Sequence, residues 1–285
     1  MMAARTEFKR AVLGLRLHTL DPDVIDVAAG LAERLGLNLV GLLSLDDSLP
    51  ELAGYPGVRE FLPAAREWRP IDPDRIAREQ MLAAQNAQRL FTKLVQALRV
   101  PSTFEIVSTA PTQAFASMCA SDIVVVAEPR QASASVTHSY SFFLDAAVRS
   151  PASVLLIPRS VQRRKGPIVA IASMPNDPAI EVASAIAAAA HEELILIEDF
   201  QVAALTGGGT PIKGATTPTQ RIRGVGRSLS DMRYLSARLG SCNESLIVVT
   251  RTDLAAATGN FGMLIAKSRR VPVLILEPPP RATAP

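Results

Sequence analysis

The sequence predicts an α/β protein of two tandem doubly wound, five-stranded parallel-sheet domains, the second shortened. Three observations carry this. Short continuous apolar runs alternate with helical stretches along the chain, as in parallel strands buried on both faces. The alternation restarts after residue 167, and IEVASAIA at residues 180–187 repeats IDVAAGLA at residues 25–32. At 285 residues the chain is long for one domain and comfortable for two of roughly 140 residues each.

Taken in order, residues 11–17 (AVLGLRL) form a first strand. Asp21-Pro22 then supplies an N-cap and a first-turn proline for a helix over residues 24–35, with Gly36 as its stop. Residues 38–45 are the second strand. Residues 46–70 contain Pro50, Gly54, Pro56, Gly57, Pro63 and Pro70 around the single tryptophan, Trp68, and read as a long loop of functional or covering type. Asp72-Pro73 opens a helix to about residue 98, with Ile76, Leu90, Phe91, Leu94, Val95 and Leu98 at helical spacing. Strands at 103–108, 123–127 and 154–157, with helices at 111–120 and 142–149, complete the first domain, residues 1–162.

The second domain, residues 163–285, repeats the order. Its strands fall at 168–172, 194–197, 220–225, 246–250 and 271–276, with a helix opened by Asp177-Pro178 and another at 228–239. Residues 201–218, with Gly207-Gly208-Gly209, replace the long helix. Cys119 and Cys242 occupy equivalent places, each four residues before its apolar strand.

Composition narrows the function. The chain is 48% hydrophobic and 20% charged, and 30 basic against 27 acidic residues leave a formal charge of +3. The basic cluster Arg163-Arg164-Lys165 falls where the halves join and lacks the aromatic interleaving of a nucleic-acid surface. No apolar run reaches the roughly 18 residues of a membrane span, and the N-terminus has no signal-type apolar core. Two cysteines make neither a disulfide framework nor a metal set. The expectation is a cytoplasmic protein whose partners are other proteins or further copies of itself, with neither nucleic acid nor membrane involved.

The repeated order and the closing segments RSPASVLLIP (residues 149–158) and SRRVPVLILEP (residues 268–278) resemble the tandem universal stress proteins, of the adenine-nucleotide alpha-hydrolase-like fold. The resemblance covers nearly all of both halves. It implies that the last strands of the halves, apolar edges that would otherwise invite aggregation, pair antiparallel across a two-fold, so that the two domains pack as an internal pseudo-dimer. It also implies an ATP site. In the ATP-binding branch the fourth strand runs into Gly-x2-Gly-x9-Gly-Ser/Thr, and an aspartate ends the first strand. Glycines there let the backbone approach phosphate at a helix N-terminus. In the first half those positions read Ala127, Arg130, Tyr140 and Ser141, with Arg16 at the aspartate position. In the second, Gly259-Asn260 keeps the last pair, Thr250 and Asp253 fall near the earlier glycines, and Ala172 takes the aspartate position. An adenine nucleotide is the cofactor the resemblance implies, and these losses argue against it.

Ligands of such sheets sit at the C-terminal ends of the strands, where strand order reverses. In the first half this gathers Arg16, His18, Glu128, Arg130, His138, Ser139, Tyr140 and Ser141. They form either a modified anion pocket, with Arg130 and Ser141 on phosphate, or a crevice filled by an Arg16–Glu128 pair and capped by Tyr140. In the second half Ser173, Arg251, Thr258, Gly259 and Asn260 form either a small anion site or a capped helix start. The TGGGTPIKG loop at residues 206–214 lacks the Gly-Lys-Ser/Thr ending of a phosphate loop. His191 is expected to help close a helix. The QASASVTHSYS run at residues 131–141 reads as a solvated loop, or as a phosphorylation site. The sequence contains no serine nucleophile elbow, paired carboxylates or His/Cys dyad. The function expected is regulatory or stress-associated and non-catalytic, with nucleotide binding lost or altered; the alternative is a divergent nucleotide-binding or slowly hydrolysing protein.

Overall fold

The computed structural model describes residues 8–15, 21–45, 52–98, 100–109, 111–129, 138–174, 176–198, 218–223, 237, 239–240, 242–251 and 261–277. Its first half runs β1 (Arg10–Leu15), α1 (Pro22–Leu35), β2 (Asn38–Ser44), β3 (Arg59–Leu62), β4 (Glu67–Pro70), α2 (Pro73–Gln96), β5 (Ser102–Val107), α3 (Pro111–Ala116), β6 (Asp122–Ala127), α4 (His138–Arg149) and β7 (Ser153–Ile157). The second runs β8 (Ile168–Ala172), α5 (Pro178–Ala190), β9 (Leu194–Glu198), β10 (Thr219–Arg223), β11 (Leu246–Thr250), α6 (Phe261–Arg269) and β12 (Val273–Leu276).

Ten of these strands form one sheet in the order β10-β9-β8-β11-β12-β7-β6-β1-β2-β5. Every pairing is parallel except β12 with β7, which is antiparallel and sets Val273, Leu274 and Ile275 opposite Leu156, Leu155 and Val154. Each half thus has its first strand flanked by its second and fourth, the arrangement that puts a switch point between β1 and β6 and another between β8 and β11. The expected antiparallel joint between last strands is present. It converts two apolar edges into the centre of the sheet. Leaving such strands exposed would forfeit on the order of 1.5–3 kcal/mol per large side chain, which outweighs any surface ion pair nearby.

Helices cover both faces. Residues of α1, α2 and α5 share one core with Leu155 and Leu274, whereas residues of α3, α4 and α6 share the other with Val154, Leu156 and Val273. Both cores therefore run continuously across the joint. The strands β6, β7, β8 and β11 are buried along almost their whole length, which is why they read as unbroken apolar runs and not as alternating ones.

Local chemistry sets the helix starts. The sequence Asp-Pro opens α1, α2 and α5, with Asp21, Asp72 and Asp177 each accepting from a backbone N–H of the first turn. The helix α1 stops at Gly36, and α5 stops at His191, which adopts the left-handed conformation (φ 55°) and donates its N–H to the carbonyls of Ala187 and Ala188. That is the closing role expected of His191. Gly166, just before β8, sits at φ 129°, and a Cβ there would lie 2.5 Å from the Asn243 carbonyl oxygen. Only glycine fits where the linker passes the second half.

Three elements differ from the sequence expectation. Within residues 46–70 an antiparallel hairpin, β3–β4, replaces part of the expected loop, with Phe61 and Trp68 in a tilted ring contact at 5.2 Å. Glu60 ties it to the start of α2 by accepting from Arg69 (2.5 Å) and Arg75 (2.6 Å). The helix expected at residues 142–149 begins at His138, so Tyr140 and Ser141 lie in its first turn and not in a loop. The helix expected at residues 111–120 ends at Ala116. The TGGGTPIKG loop and most of residues 228–239 lie outside the described residues.

Buried charges are paired. Asp122, at the start of β6, accepts from Arg10 through Nε (2.8 Å) and Nη2 (3.1 Å) and from the Cys119 N–H (3.0 Å). Burial alone would raise its carboxyl. The hydrogen bonds from Arg10 and from the Cys119 N–H and thiol outweigh that and hold it below the usual carboxylate value. A depressed folded-state value contributes stability above the unfolded value of about 3.9, and loses it as pH falls through the folded one. Asp122→Asn is therefore expected to lower unfolding free energy at pH 7 by about 1–3 kcal/mol. In urea titrations from pH 7 to 2, the gap to the wild type should close only on the acid side. A gap independent of pH would show that the carboxylate charge contributes nothing.

Candidate functional site

The sheet places the two crevices at the C-terminal ends of β1 and β6 and of β8 and β11. In the second half the two strand ends are bridged there by Asp177. This carboxylate is 3% exposed. It accepts from the Ala179 N–H (2.9 Å), from the Ser173 N–H beyond the end of β8 (3.3 Å), and from the hydroxyl of Thr250 at the end of β11. One buried aspartate thus caps α5 and bridges the two strand ends between which a ligand would enter. Ser173 takes part through its backbone.

Arg251 follows β11 and turns across the joint. Its Nη1 donates to the Ser150 carbonyl (2.8 Å) and its Nη2 to that of Ala152 (2.7 Å), both in the turn between α4 and β7. Glu277, after β12, lies 2.7 Å from Nη1. Burial pulls the Arg251 guanidinium below its ordinary range, with Glu277 opposing. The side chain is a strut between the halves.

Since Ala127 ends β6 and Thr250 ends β11, Glu128 and Arg251 hold equivalent places. Glu128 is an anchor too. Its carboxylate accepts from the Arg159 N–H (3.2 Å) and lies 3.1 Å from Lys267 Nζ on α6 of the other half. Both residues that leave a fourth strand, where a phosphate loop would begin, are thereby joined to the opposite half. The Arg16–Glu128 pairing weighed from sequence involves a residue outside the described set, but the carboxylate of Glu128 is already engaged by Arg159 and Lys267.

On the α3–α4 face of the first half, the end of β1 is covered by rings. Phe115 and Phe143 meet edge to face at 5.6 Å. A Cβ on Gly14 would come within 3.0 Å of Phe115 Cζ and 3.1 Å of Phe143 Cε1, so the rings lie directly on the strand. Tyr140 is buried in the same core, and Ser141 is exposed on α4. His138 and Ser139 start α4. Arg16, His18, Arg130, Thr258, Gly259 and Asn260 lie outside the described residues. Sequence reasoning missed Phe115, Phe143, Lys267 and the bridging role of Asp177. Only Asp177 carried a signal, as an N-cap candidate whose burial could not be read from its neighbours.

Among the described residues no group of His, Cys, Asp and Glu side chains is placed to hold a metal ion, and no helix is long and apolar enough to cross a membrane.

Solved structures share this architecture. A universal stress protein from Archaeoglobus fulgidus DSM 4304 superposes with a TM-score of 0.58 at 12% identity, covering 95% of this chain and 97% of its own. A protein of unknown function from Pseudomonas aeruginosa PAO1 gives 0.54 at 12% identity over 96% and 94%. A chain from Pseudomonas aeruginosa UCBPP-PA14 assigned to the universal stress proteins gives 0.53 at 12% identity over 97% and 95%. No protein-family model and no curated protein matches the sequence. The chain has a universal-stress-protein-like fold across nearly the whole of its length.

The Asp177 bridge is open to test. Asp177→Ala removes a helix cap and leaves the Thr250 hydroxyl and the Ser173 N–H without their acceptor, so thermal or chemical unfolding should show a loss of about 2–4 kcal/mol. A loss below about 0.5 kcal/mol, the scale of an ordinary surface change, would mean that the strand ends are not held together by this group.

Proposed function

We propose that the chain is a non-catalytic, regulatory or stress-associated protein of universal-stress-protein type. In this reading lobes formed by residues 1–162 and 163–285 have given up the family's nucleotide site for their mutual joint. The observation that carries this reading is the fate of the strand-four exits. Glu128 and Arg251 stand where backbone should approach phosphate, and both are committed to the opposite half. The bridge between the second pair of strand ends by Asp177 and Thr250 supports it, as does the Phe115–Phe143 cover on β1. Phosphate binding at such a place needs free N–H donors at a helix start and room for the anion. The residues seen there spend their polar groups on one another.

Such a protein acts through contacts with other proteins or with copies of itself, in the cytoplasm. The hairpin β3–β4 favours this, since Phe61 and Trp68 are 46% and 62% exposed, an unusual placement for two large aromatics.

Isothermal calorimetry with ATP, with and without magnesium, tests the reading. The expected result is no saturable binding tighter than about 1 mM. Binding tighter than about 10 μM that is abolished by Gly259→Val would overturn it in favour of a divergent nucleotide-binding protein using the Gly259-Asn260 turn.

A further inference from the structure

We propose that the linker between the halves builds a site for a small organic anion, a carboxylate or phosphate group on a compact apolar body. It lies on the α1 side of the sheet, beside the start of β11. A cavity of about 150 Å³ lies between α1, the linker and the sheet beside the joint. Val27, Leu31 and Leu155 give it apolar walls, and Arg34, Arg163 and Arg164 bring three guanidinium groups to it. Asp26 also lines it, and a space of this volume has room for a body of about six carbons.

The charges around it do not cancel locally. Glu244 is fully buried and is taken by Arg269, whose Nε and Nη2 donate at 2.6 and 3.0 Å. Arg163 Nη1 is 3.9 Å from the same carboxylate, beyond hydrogen-bond reach, and this buried nitrogen has no hydrogen-bond partner. Asp23 and Asp26 both pair with Arg164. Arg34 has a 3.5 Å bond to the Arg164 carbonyl and makes no ion pair among the described residues. Arg34 therefore borders the cavity without a carboxylate, and Arg163 has only a distant share of one that Arg269 already occupies. A buried N–H donor without an acceptor is costly and rare in folded proteins, and an anion's oxygen would relieve it.

The remaining geometry suits a molecule with a head and a body. Val161 and Arg164 also border a second cavity of about 460 Å³, which runs past Arg159 and Ser160 to the start of α1. A longer body has a way out along the linker. The occupant would touch α1, the linker and the Ser245-Leu246 start of β11, and so would bind both halves at once. Because the linker supplies Arg163 and Arg164, the site exists only when the two halves are one chain.

The test uses the full chain, titrated calorimetrically with inorganic phosphate and, separately, with benzoate, at ionic strength held constant with sodium chloride. Saturable binding of at least one anion is expected. Arg163→Met and Arg34→Gln should each weaken it at least about tenfold, the scale of a charge-assisted hydrogen bond, whereas the distant surface change Arg78→Gln should leave it unaltered. Arg163→Met removes a buried unpaired donor, so its thermal midpoint should equal or exceed that of the wild type, and Arg34→Gln gives an independent reading. A response to phosphate alone identifies a phosphate head, and one to benzoate alone a carboxylate. Binding of neither anion tighter than about 10 mM, or binding unchanged in both arginine variants, would overturn the proposal.

Discussion

The antiparallel pairing of β7 with β12 is the constraint on which the rest of the molecule depends. Each half ends in a strand that is apolar on both faces, and such a strand cannot be left at an edge facing water. Joining the two ends removes both edges together and runs both helical layers across the seam. Helix α6 shows how closely the layers fit there. A Cβ on Gly262 would lie 2.6 Å from Ile275 Cδ1 and 3.1 Å from Leu156 Cδ1, one from each half. The helix following the second half's fourth strand is thus seated on the first half's last strand.

That seating bears on the strand ends where the resemblance would place nucleotide. In the ATP-binding branch that the sequence resembles, the loop after the fourth strand would hold phosphate through free backbone donors and small residues. Here the residues leaving those strands are a glutamate and an arginine, each directed across the seam. Their opposite charges make the joint unlike itself on its two sides: Glu128 receives Lys267, whereas Arg251 receives carbonyls and Glu277. The two positions can carry different residues because the two halves are different stretches of one chain. A homodimer would have to place the same residue at both positions.

Much of the fold was legible in the sequence. Continuous apolar runs announced parallel strands, Asp-Pro pairs announced helix starts, and the repeat of IDVAAGLA as IEVASAIA announced the duplication. The edge pairing followed from two apolar strands at the ends of the halves together with the family resemblance. The site was less legible, and for physical reasons. The missing glycines argued against a phosphate site, without saying what stands in the space. Phe115 and Phe143 lie 28 positions apart and meet only because α3 and α4 pack together over β1. Asp177 read as an ordinary cap, because its second role depends on Thr250, 73 residues away. The hairpin in residues 46–70 was hidden by prolines and glycines that signal turns without saying which strands they join.

Amide hydrogen exchange on the intact chain tests the joint most directly. If β7 and β12 form the centre of one continuous sheet, the ladder amides within residues 154–156 and 273–275 should exchange as slowly as those of β6 and β11, through global unfolding alone. Exchange of these segments at the rate of the outer strands β5 and β10, while β6 and β11 stay protected, would mean that the halves part readily and would contradict the account.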